Sequence, residues 1–126
     1  MIIKIKQYFE VRRAQIEAIR ENKERWYKIQ LGTCEKEIAG IERGDVRSCP
    51  VITDGLLMLV MNVDRTHKRV TPDFYKRAIK ALETNAQECE KGPTRDFLFM
   101  QIGQLEKTAQ HYFGAVEYSK ISEIAA

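Results

Sequence analysis

The sequence predicts an all-α fold: a compact bundle of four to five helices, one domain over residues 1–126, closing in a C-terminal antiparallel helical hairpin. Three observations predict it. Apolar residues recur at three- and four-residue steps through most of the chain, the period of a helix with one buried face. Only three prolines and seven glycines interrupt 126 residues dominated by Glu, Lys, Arg, Ala, Leu and Ile, a composition that favours helix. The triplet Thr71-Pro72-Asp73 supplies a hydroxyl cap, a residue suited to the first helical position and a carboxylate for the positive end of the helix.

Taken in order, the first helix is expected over residues 4–30. Ile5, Phe9, Ile16, Ile19, Trp26 and Gln30 follow the helical period, with Arg12 and Lys23 occupying the gaps. Glu17–Arg20, Glu21–Arg25 and Glu24–Lys28 are spaced to pair across one turn. Gly32 is expected to end this helix in a left-handed cap, and Thr33 to open a shorter one over 33–43 bearing Cys34, Ile38 and Ile41. Residues 43–50 read as a loop, because Cys49 precedes a proline and is steered away from helical geometry.

From Thr53 to about Asp64 the chain is apolar on all sides, so periodicity does not separate a buried helix from a buried strand. Helix is the expectation, since Thr53 or Asp54 can cap it and a lone strand would have no partner. The alternative is a strand pairing back across residues 64–67. After Thr71, Val70 and Tyr75 stand where a hydrophobic staple belongs. Tyr75, Ala78, Ile79, Leu82, Ala86 and Cys89 then share one face. Residues 91–93 turn the chain. From about Thr94, Leu98, Ile102, Leu105, Ala109, Tyr112 and Val116 repeat the seam, making the hairpin. The tail from Tyr118 continues weakly or frays.

Little in the sequence points to chemistry. Three cysteines without a C-x-x-C pair argue against a disulfide framework and for a reducing, cytoplasmic setting. The longest apolar run, residues 55–63, falls well short of the ~20 residues a membrane span needs, so no membrane partner is expected. His67 and His111 lie far apart, and no His or Cys pair has zinc-site spacing, so no metal and no cofactor are expected. Cys34 and Cys89 fall on predicted core faces; Cys49 is the one thiol expected to be exposed. His111 reads as a residue at the core boundary, and Met58 with Met61 as core filler. No phosphate-cradling glycine loop or nucleophile motif occurs. The chain is therefore expected to have no catalytic residues.

Charge is the more informative property. The net charge is only +3, yet residues 1–30 carry eight basic and four acidic side chains and residues 65–80 carry six basic and one acidic. At 100° per residue, Lys76, Arg77 and Lys80 fall opposite the apolar face of their helix, and Arg65, His67, Lys68 and Arg69 lie in the connection before it. Phe74 flanks that face. A phosphate backbone is the partner expected for such a surface, and ordinary solvation is the competing reading. Arg12, Arg13, Arg20 and Lys23 form a second basic strip. The function expected on these grounds is a non-catalytic accessory subunit touching DNA or RNA inside a larger nucleoprotein complex. The alternative is a protein-binding inhibitor or adaptor: the first helix would be half covered by its own domain, leaving Tyr8, Phe9, Trp26 and Tyr27 for a larger protein complex or a second copy. The competing expectation for that helix, and the favoured one, is that Trp26 and Ile16 dock its seam on the bundle.

Overall fold

A computed structural model describes residues 2–63 and 70–119, with side chains from Lys4 onward. Four helices account for most of it: α1 (Ile2–Glu42), α2 (Pro50–Asn62), α3 (Pro72–Glu88) and α4 (Pro93–Phe113). A single further helical turn, α5, covers residues 115–119. There is no strand among the described residues, so the apolar segment of α2 is helical as expected, although neither Thr53 nor Asp54 caps it: the N-cap is Cys49, which makes no side-chain cap hydrogen bond.

The first two expected helices are one. α1 runs for 41 residues straight through Gly32 and Thr33. Glycine inside a helix costs only about 1 kcal/mol relative to alanine, and Thr33 donates its hydroxyl hydrogen back to the carbonyl of Ile29 at 2.8 Å instead of opening a new helix. Burial of Tyr27, Cys34, Ile38 and Ile41 on either side of the glycine outweighs that local penalty. The left-handed cap occurs at Gly44, whose φ is +103°. There the Asp45 amide reaches the carbonyl of Gly40 and the Gly44 amide that of Ile41, both at 3.0 Å, closing α1 in the manner of a Schellman turn.

α2 starts at Pro50, earlier than expected. Cys49 takes the extended conformation that a following proline enforces, and Thr53 lies inside the helix, fully buried. Leu56, Leu57 and Val60 face the core, whereas Met58 and Met61 are 49% and 39% exposed, which corrects their assignment as core filler. The loop before α2 is tied down by Asn85, a buried side chain of α3 whose amide oxygen accepts from the Arg47 backbone N–H at 3.0 Å.

α3 begins as the sequence indicates. Thr71 accepts a hydrogen bond from the Phe74 amide at 3.3 Å, and Val70 and Tyr75 are both buried. All six predicted seam residues, Tyr75 to Cys89, are in the core. Phe74 is in it too, not on the basic face, because it packs edge-on to Tyr75. α4 buries Leu98, Ile102, Leu105 and Ala109 against α3, and this helix pair shares the most extensive contact in the molecule. The seam stops there: Tyr112 is exposed while its neighbour Phe113 packs on the core against Tyr75, and Val116, also exposed, lies beyond Gly114, whose φ of +86° ends the helix after Phe113. α5 then folds back and buries Tyr118 completely.

Candidate functional site

The four helices make a body, and α1 extends out of it. From Lys4 to Lys23 every side chain is exposed, a stretch of about 30 Å at 1.5 Å per residue. The first core residue of α1 is Tyr27, at 6% exposure. The seam expected to dock on the body is therefore open to solvent: Ile5, Phe9, Ile16, Ile19 and Trp26 are 49–62% exposed, and Tyr8 63%. The Tyr8 and Phe9 rings pack on each other, edge to face at 5.8 Å.

Heptad steps explain the division. Counting back in sevens from Ile41, Cys34 and Tyr27 reaches Arg20, Arg13 and Lys6. Counting back from Ile38 and Leu31 reaches Glu24, Glu17 and Glu10. The line that is apolar where α1 meets the body is thus alternately basic and acidic in the arm. The arm's own apolar line, from Ile5 through Phe9, Ile16 and Ile19 to Trp26, runs alongside it and ends beside Tyr27. Two apolar faces coexist on one helix. The body covers only the C-terminal one.

Of the predicted partner-binding residues, Tyr8, Phe9 and Trp26 lie together on the arm, whereas Tyr27 belongs to the protein's own core. Of the predicted phosphate-binding residues, Arg12, Arg13, Arg20 and Lys23 are exposed on the same arm. Arg65, His67, Lys68 and Arg69 fall outside the described residues.

The α3 cations depart from expectation. Arg77 does not point into solvent: it clasps the end of α1, with Nη2 2.6 Å from Glu42 Oε1, Nε 3.2 Å from Glu42 Oε2 and Nη1 3.0 Å from Glu35 Oε2. The hydrogen bond from Arg77 holds the Glu42 carboxyl below its ordinary range, and the same bond raises the guanidinium's own pKa. Lys76 turns toward α4 and α5, 3.9 Å from Glu106 and 3.8 Å above the ring centre of Tyr118. Burial pushes the Tyr118 phenol up, with Glu106 and Glu83 adding to the shift. Burial also raises Glu83, again with help from Glu106. Lys76 is therefore engaged with Glu106 and the Tyr118 ring at the edge of the α3–α4 contact. Only Lys80 of the three is exposed as the helical wheel places it. The wheel erred because it describes α3 alone, whereas Glu35 and Glu42 of α1 and Glu106 of α4 reach the cations on the two margins of its buried face.

Compared with family models, curated proteins and solved structures, the chain matches none.

The cysteines follow the sequence reading: Cys34 and Cys89 are buried and Cys49 is exposed. Burial, reinforced by the nearby Glu35 charge, lifts the Cys34 thiol to about 11, far from a nucleophile's range. Among the described residues no group of three or more His, Cys, Asp or Glu side chains could hold a metal ion. No helix among them is long and apolar enough to cross a membrane. His111 is exposed near the end of α4.

Proposed function

We propose that the protein is a non-catalytic adaptor or inhibitor of the cytoplasm that docks on a larger protein assembly through the arm of α1, with the body as its anchor. One observation carries the reading: twenty consecutive residues, 4–23, bury no side chain, yet they belong to a stripe that presents Ile5, Tyr8, Phe9, Ile16, Ile19 and Trp26. Full burial of such a side chain is worth about 1.5–3 kcal/mol. A contiguous exposed set of this kind marks an interaction surface, whereas single exposed apolar residues need no explanation. Tryptophan and tyrosine beside arginine are also the residue types that anchor interfaces.

The test places a photo-crosslinking phenylalanine analogue at Phe9 or Ile19 and, as control, at Thr84 on the body. Crosslinking is carried out in the host cell, and the products are identified by mass. The reading expects one discrete protein adduct from the arm positions, resistant to nuclease and missing from the control. Identical adducts from arm and body, or none from the arm, would contradict it.

Contact with a nucleic-acid phosphate backbone is the second reading. Its support comes from Arg12, Arg13, Arg20 and Lys23 on the arm and from Lys80, since Lys76 and Arg77 are engaged with carboxylates. Binding of a labelled duplex or single strand across a salt series decides it: a log–log slope near −0.7 to −0.9 per contacted phosphate supports backbone contact. Absence of binding at low salt removes it.

A further inference from the structure

We infer that the partner of the arm is an acidic amphipathic helix, which winds along the arm's heptad line as the second strand of a heterotypic coiled coil. The inference rests on the docking role proposed above and specifies the chemistry of the partner.

The spacing of the stripe points to a helix. Ile5, Phe9, Arg12, Ile16, Ile19, Lys23 and Trp26 alternate four- and three-residue steps without a slip across three heptads. A strict seven-residue repeat drifts about 20° per heptad around a straight helix. A supercoiling helix follows that drift, and a flat surface such as a membrane does not. The arm's outer lines also mix signs, with Glu10, Glu17 and Glu24 beside Lys6, Arg13 and Arg20. An anionic lipid surface favours a polar face of one sign.

Charge then points to acid. Residues 6, 13 and 20 border the stripe on one side, and residues 8, 15 and 22 border it on the other. The stripe and these two lines together contain Lys6, Arg12, Arg13, Arg20 and Lys23, and not one carboxylate. A second copy of this chain is therefore a poor occupant. Parallel pairing in register sets Arg12 against Arg12 and Lys23 against Lys23. Antiparallel pairing sets the Lys6–Arg13–Arg20 line against itself. Flanking positions of this kind select partner and orientation in coiled coils. Glutamate or aspartate at the flanks of the incoming helix meets all five cations, while its leucine-type residues cover Ile5, Phe9, Ile16, Ile19 and Trp26. A polyanion meets the cations equally well but leaves the isoleucines uncovered.

The experiment uses the full chain and two synthetic peptides of four heptads, with leucine at both seam positions and either glutamate or lysine at both flanking positions. Like charges keep each peptide from pairing with itself. Titration is followed by Trp26 fluorescence, and the sedimentation of the protein alone is measured alongside. The glutamate peptide is expected to bind at least tenfold tighter than the lysine peptide, and Arg12→Glu with Lys23→Glu to reverse that order. Both substitutions lie on exposed positions, and an unchanged circular dichroism spectrum verifies the fold. Equal affinity for the two peptides overturns the inference. So does a protein that sediments alone as a dimer with Trp26 shielded, a signal from anionic vesicles but from neither peptide, or a glutamate peptide displaced stoichiometrically by nucleic acid with no loss on Phe9→Ala. Failure here with arm crosslinks to a host protein intact would discard the acidic helix and keep the docking role. Failure of both would discard the role itself.

Discussion

At the scale of single residues, the Arg77 clasp shows how a side chain that looks like surface charge becomes a structural joint. Its guanidinium spans two carboxylates nearly two turns apart on α1, Glu35 and Glu42, and so fixes α3 against the last turns of the long helix. The three groups are about one-third to two-fifths exposed, so solvent screens the interaction and its worth is about 1 kcal/mol. The pH dependence follows from Glu42. Its folded pKa lies below the usual 4.5, so the stabilisation is fully present above that value and is lost as pH falls through the folded value. Arg77→Met is therefore expected to lower unfolding free energy by about 1 kcal/mol at neutral pH, and by progressively less below pH 4.5. Urea melts of both proteins at a series of pH values measure this. A difference that stays constant into acid would mean that the clasp is not its source. The partners of Arg77 lie 35 and 42 residues away, which no spacing rule reveals. The same holds for Lys76 with Glu106 and for Arg47 with Asn85.

Among the elements, α1 carries the most information. Helix class, the capped start of α3 and the buried faces of α3 and α4 were legible because local signals and burial agree there. Gly32 was misleading because its local signal opposes the tertiary one. A helix end needs a glycine, but a glycine does not need a helix end, and the docked residues from Tyr27 to Ile41 carry the helix through. An expectation follows for this position. Gly32 is exposed, lies mid-helix, and nothing stands within 4 Å of where a Cβ would be. Gly32→Ala should therefore stabilise the protein by about 0.5–1 kcal/mol and raise its Tm, with the body fold unchanged. A lower Tm would show that the helix is broken at this residue, and that arm and body are separate elements as the glycine alone suggests. The heptad lines of the arm were also present in the sequence. What periodicity could not supply was which of the two apolar faces the body would cover, since that is set by how α2 and α3, distant in sequence, pack on α1.

For the whole molecule, the body and the arm make opposite use of hydrophobic surface. The body closes over Tyr75, Leu57, Ile102 and Tyr118 with at most 2% exposure each, while the arm holds its largest apolar side chains in water. Trp26, the only tryptophan in the chain, sits within the exposed stripe at 62% exposure, next to Tyr27 at 6%. It therefore reports the state of the arm without interference from the body. Tryptophan emission and quenching, measured on the isolated protein from dilute to concentrated solution, test the central claim most directly. An arm left uncovered by its own chain gives the red-shifted emission of a water-exposed indole, quenched by iodide or acrylamide nearly as fast as free tryptophanamide and unchanged by dilution. A blue-shifted, quencher-resistant emission that persists in dilute monomer would mean that the arm packs on its own body, and that no face is left for a partner.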